Sequence, residues 1–128
     1  MAFSDESQKY FTPNVKKEII LKEYKNIVDI DPKISDKFNN ILDVVSRDIP
    51  FTSCKIEVIR DKLFINLRLD PNYIFVVKIE SYGYFVSIKM ESTSIFCFQQ
   101  EYKEITVDQF NKGLTFSYCG GEYNKFKD

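Results

Sequence analysis

A chain of 128 residues suffices for one domain that buries about two-thirds of its unfolded surface and folds without a metal or disulfide. Its hydrophobic share of 44% fits a globular core, and no apolar run approaches the ~18 residues of a membrane span. With 18 basic against 19 acidic side chains there is no basic excess of the kind that binds nucleic acid.

Residues 1–11, MAFSDESQKYF, show no basic region followed by an apolar stretch. They read as an N-terminal tail rather than a secretory signal, and the expected location is cytoplasmic. Two helices are expected over 12–50. In TPNVKKEIILKEYKNIV, Thr12 suits an N-cap and Pro13 the first helical position. Val15, Ile19, Ile20, Tyr24, Ile27 and Val28 recur at helical spacing, and the interleaved lysines and glutamates read as the solvated side. The second helix starts at Asp31-Pro32, carries Ile34, Phe38, Ile41, Leu42 and Val45 as its apolar stripe, and stops at Pro50. The short link predicts an antiparallel hairpin.

Beyond Pro50 the hydrophobic period changes to two, and an antiparallel sheet is expected over 51–119. Segments 54–60, 63–69, 73–79 and 84–90 alternate. A turn at Asp61-Lys62 pairs Val58 with Ile65. The loop 70–72 pairs Ile65 with Val77, and a turn at Tyr82-Gly83 pairs Val77 with Ile88. All three turns place the same apolar set on one face, which makes the pattern self-consistent. IFCFQQ (95–100) is expected to follow as a strand with Phe96 and Phe98 inward. Thr106 and Gln109 make a capping box for a short helix near 106–112, and LTFSYC is a last strand before a C-terminal tail over 120–128. The fold class is α+β: an N-terminal helical hairpin packed on one face of an antiparallel β-meander of about five or six strands.

The chemical inventory is sparse. The absence of histidine removes Ser-His-Asp and Cys-His constellations and the commonest general base. Cys54, Cys97 and Cys119 form no CxxC pair, so three reduced thiols are expected, with no metal site. DIDPKISDKFNN places Asp29 and Asp31 like the first ligands of a calcium loop. It has Ile34 at the glycine position and Asn40 at the closing glutamate, and helix capping accounts for the aspartates. Glu101 and Glu104 are read as solvated acids. No catalytic residue and no cofactor are expected.

The sheet's second face is less polar than a purely solvated one. Ile59, Phe64, Ile74, Val76 and Phe85 stand there among charges of both signs. β-propensity alone selects such residues on an exposed sheet, and a C-terminal segment folding back would cover them. An apolar set with a polar rim also suits partner contact. The expected function is a small non-catalytic protein-binding module (inhibitor, immunity-type or adaptor protein) that uses this face. The alternative is a small-molecule carrier with a pocket lined by Phe38, Phe75, Tyr73, Phe96 or Phe98 between helices and sheet.

Overall fold

The computed structural model describes residues 12–27, 29–69, 73–90, 101–112, 115–118 and 121–124. Helix α1 spans Pro13–Tyr24 and α2 spans Pro32–Asp48. Both begin as their sequences dictate. The Thr12 hydroxyl accepts from the Val15 amide at 3.2 Å, the Asp31 carboxylate from the Lys33 amide at 2.9 Å, and proline occupies the first turn of each. Asp29 does not cap. It sits in the left-handed region at φ 59°, in the link between the helices.

The amphipathic pattern holds for α2, which buries Ile34, Phe38, Ile41, Leu42, Val44 and Val45. It holds in part for α1. Ile20 is buried and Ile19 and Tyr24 pack against the core, but the helix ends at Tyr24, Val15 is exposed, and Lys16 is buried against expectation. The Lys16 ammonium lies 5.7 Å from the Phe51 ring centroid and donates to the Ile49 carbonyl at 2.9 Å. The two helices are joined by a Tyr24–Phe38 ring stack, with centroids 3.9 Å apart.

Five antiparallel strands follow as a meander in the order β1-β2-β3-β4-β5: Ser53–Ile59, Lys62–Leu69, Tyr73–Glu80, Gly83–Met90 and Lys103–Ile105. The expected β2–β3 register is the observed one, with Ile65 opposite Val77. The other two differ from expectation by two residues. Ile56 rather than Val58 faces Ile65, and Val86 rather than Ile88 faces Val77. The turns therefore lie at Arg60-Asp61 and Ser81-Tyr82. A slip of two keeps every side chain on its own face, so the inward set is unchanged.

Inward rows run Cys54–Leu67–Phe75–Ile88, then Ile56–Ile65–Val77–Val86, then Val58–Leu63–Ile79–Tyr84–Ile105. Most of these residues join Ile20, the α2 stripe, Ile49 and Phe51 in one core, where each fully buried aliphatic contributes about 1.5–3 kcal/mol. Tyr84 stands on this face opposite Ile79, and its hydroxyl donates to the Lys37 carbonyl of α2 at 2.9 Å.

Helix α3, Val107–Lys112, opens on a complete capping box. The Thr106 amide donates to Gln109 Oε1 at 2.8 Å, and the Gln109 amide to Thr106 Oγ1 at 3.2 Å. The expected strand over 95–100 lies outside the described residues; among these, β4 pairs with Lys103–Ile105. Strand β6, Thr115–Tyr118, pairs with β7, Gly121–Asn124, in a separate two-stranded sheet. A loose tail was expected at β7.

Candidate functional site

The outer face is organised by rows that follow from the registers above. Ser53–Arg68–Ile74–Lys89 lies toward one end, followed by Lys55–Asn66–Val76–Ser87 and Glu57–Phe64–Lys78–Phe85–Glu104. Ile59 beside Lys62 and Glu80 beside Gly83 form the other end, where the β1–β2 and β3–β4 turns both lie.

The five residues expected to carry a site have different surroundings. Val76, at the centre, is 1% exposed, and its neighbour Ser87 is buried too. Val76 belongs to no part of the core under the helices, so the outer face has a buried centre of its own. Phe64, Ile74 and Phe85 are half-buried. Ile59 is 49% exposed. Phe64 and Phe85 share a row, Ile59 stands at the turn end, and Ile74 stands apart near the opposite end, beside Arg68 and Lys89.

Lys78 stands between the two phenylalanines. Its ammonium lies 4.8 Å from the Phe85 ring centroid, 4.2 Å from that of Tyr102 and 3.1 Å from Glu80 Oε2. Tyr102 meets Phe64 edge-on at 6.4 Å, and Tyr82 meets Phe85 edge-on at 6.0 Å. A cation held between rings is worth about 0.5–2 kcal/mol, more as water is excluded. Neither Tyr82 nor Tyr102 was singled out in the sequence. Tyr102 falls between the expected strand over 95–100 and the short helix near 106–112, and Tyr82 falls in an expected turn.

Hydrogen bonding from Tyr82, together with Lys78 and Lys62, holds the Glu80 carboxyl below its ordinary range. The same bond, and the nearby Glu80 charge, raise the Tyr82 phenol. Cys54, half-buried against the core, has its thiol pushed up to about 12, first by burial and then by Glu23, so it is not a thiolate at neutral pH. Cys97 and Cys119 lie outside the described residues.

On the helix side of the turn end lies a cleft of about 420 Å³, lined by Asp29, Ile30, Asp31, Ile34, Val58, Asp61, Lys62 and Leu63. Among the described residues no cluster of His, Cys, Asp or Glu comes together as metal ligands, so these aspartates are not such a group. Of the aromatics expected to line a ligand pocket, Phe38 and Phe75 are buried core residues and Tyr73 packs against the core. Phe96 and Phe98 lie outside the described residues. Among the described residues no helix is long and apolar enough to cross a membrane.

Comparison with protein families, with curated proteins and with solved structures finds no match to this chain.

Proposed function

We propose that this chain is a small non-catalytic protein-binding module, of the inhibitor, immunity or adaptor kind, that meets its partner with the outer face of its sheet at the turn end. One observation carries this reading. Of the four large hydrophobic side chains exposed among the described residues, Val58, Ile59 and Tyr82 all lie at that end, at 41%, 49% and 72% exposure. Phe64 and Phe85 stand in the next row, held by Lys78 and the ring contacts around it. An apolar and aromatic group on rigid strands, ringed by Lys62, Glu80 and Glu104, has the composition of an interface core with a polar rim. Ordering costs on binding are small because the strands already hold these side chains.

The partner is another protein rather than a nucleic acid, a choice supported by the near balance of 18 basic and 19 acidic residues. The lack of histidine supports a role without catalysis. A reducing, cytoplasmic setting is supported by three cysteines without a CxxC pair.

The test is capture from lysate of the source organism by immobilised protein. The double variant Ile59→Lys with Tyr82→Lys is compared with Asn39→Lys on the exposed side of α2. The wild type and the helix variant are expected to retain the same captured protein, and the turn-end variant to lose it while remaining folded. Retention by a folded turn-end variant would overturn the reading.

A further inference from the structure

We infer that the cleft beside the β1–β2 turn receives a partner segment that places an aliphatic side chain next to an arginine or lysine. The inference rests on the protein-binding reading above and assigns the chemistry of the partner.

The floor of the cleft is aliphatic. Ile34 and Leu63 are buried at its base, and Ile30 and the 41%-exposed Val58 form its walls. Of the apolar lining, Val58 is exposed and Ile30 half-buried, while Ile34 and Leu63 are closed off at 4% and 0% exposure. The volume of about 420 Å³ falls within the ~300–1,000 Å³ of clefts that take ligands.

The charged lining is mainly acidic. Asp29, Asp31 and Asp61 surround the aliphatic floor, and Lys62 is the one cation among the lining residues. Lys62 belongs to the outer face, where its ammonium lies 3.8 Å from Glu80 Oε2. Arg60, next in the turn, does not line the cleft. Asp31 gives one carboxylate oxygen to the Lys33 amide, and none of the three aspartates has an ion pair among the described residues. Three aspartates against one lysine attract a cation, while Val58 and Ile30 offer the apolar contact.

Backbone geometry marks the same place. Asp29, Arg60 and Asp61, at φ of 59°, 52° and 65°, are the described non-glycine residues with positive φ, and two of them line the cleft. Such conformations cost of order 1 kcal/mol or more each, and they fix the direction of both acidic side chains. Val58 is followed in the chain by Ile59, which carries the contact surface round to the outer face. A polypeptide crossing the turn end would reach both, which favours a protein segment over a small solute.

The experiment is an amide NMR titration of the full chain with three capped hexapeptides: alternating Leu and Arg, alternating Leu and Glu, and alternating Gly and Arg. The Leu/Arg peptide is expected to give saturable shifts at Ile30, Val58, Asp61 and Leu63, with affinity at least about tenfold above the other two. The variant Asp29→Asn, Asp31→Asn, Asp61→Asn keeps the capping and turn chemistry and should lose about tenfold in affinity for it. Should that triple variant fail to fold, Asp61→Asn alone should still weaken binding. Absence of saturable shifts with Leu/Arg, shifts centred elsewhere, equal binding of all three peptides, or unchanged affinity of a folded aspartate variant would each overturn the inference. A negative titration together with capture that still depends on Ile59 and Tyr82 would overturn the cleft chemistry alone. Loss of both would overturn the protein-binding reading as well.

Discussion

Lys16 shows how a single residue can contradict its pattern. In VKKEIILKEYK it has the spacing of a solvated side chain, yet it is buried, with its ammonium near the Phe51 ring and on the Ile49 carbonyl. Burial lowers its pKa, opposed by the nearby Asp48 charge. Because the folded value lies below the unfolded one, the penalty for burying the charge is present at neutral pH and is relieved as pH rises through that interval toward about 10.5. Lys16→Met keeps the stem and removes the donor, leaving the Ile49 carbonyl unsatisfied. It should destabilise by about 1–3 kcal/mol in chemical denaturation at pH 7. No loss would mean that the cost of burying the ammonium cancels its hydrogen bond. The Arg60-Asp61 turn makes a second residue-level prediction. Positive φ at both central positions is the geometry of a type I′ hairpin, which favours Asn-Gly. Arg60→Asn with Asp61→Gly should therefore stabilise by about 1 kcal/mol, and a decrease in denaturation midpoint would count against that turn.

At the scale of elements, alternation made the faces of the strands readable, but not the turns that join them. Gly83 suggested a turn at Tyr82-Gly83, and Arg-Asp, lacking glycine or asparagine, did not announce one at Arg60-Asp61. The resulting errors were of two residues, which leave the inward set intact, so Ile65 and Val77 still face each other at the centre of the sheet. Ile65→Ala should leave a cavity and cost about 2–5 kcal/mol. Asn66, one residue along on the other face, donates to the Lys55 carbonyl and to Glu57, and Asn66→Ala should cost much less. Equal losses would contradict the assignment of faces. α1 was less legible than α2 because two of its six stripe residues are the exposed Val15 and Ile27, beyond its end. At the sheet's turn end, Glu80 links β3 to β2 through Lys62 and lies 3.1 Å from Lys78 on its own strand. Its pKa is depressed first by the Tyr82 hydrogen bond and then by the two lysines, so these contacts together contribute fully above the carboxyl's ordinary value of about 4.5 and are lost as pH falls below it. A pH series of denaturation midpoints should fall more steeply through that acid range for the wild type than for Glu80→Gln. Parallel curves would mean that these contacts add nothing to stability.

For the whole molecule, the sheet has one face committed to a core under two helices and a second face with a buried centre at Val76 and an exposed turn end at Ile59 and Tyr82. The first was legible in the sequence because a core face needs an unbroken apolar set. The second was legible only as a mixed face. Alternation says which way Val76 points, not whether anything lies over it, and the cleft depends on how a helix link meets a hairpin 30 residues later. Ile59, Phe64 and Phe85 remain together at or next to the turn end, whereas Ile74 lies toward the far end. The central proposal is that this turn end is where the molecule meets its partner. Photo-crosslinking in cells tests it most directly, with a benzophenone side chain replacing Tyr82, Ile59 or, on the exposed side of α2, Asn39. One protein is predicted to be crosslinked from positions 82 and 59 and not from 39. Crosslinks to the same protein from 39 alone, or none from the turn end, would contradict the account.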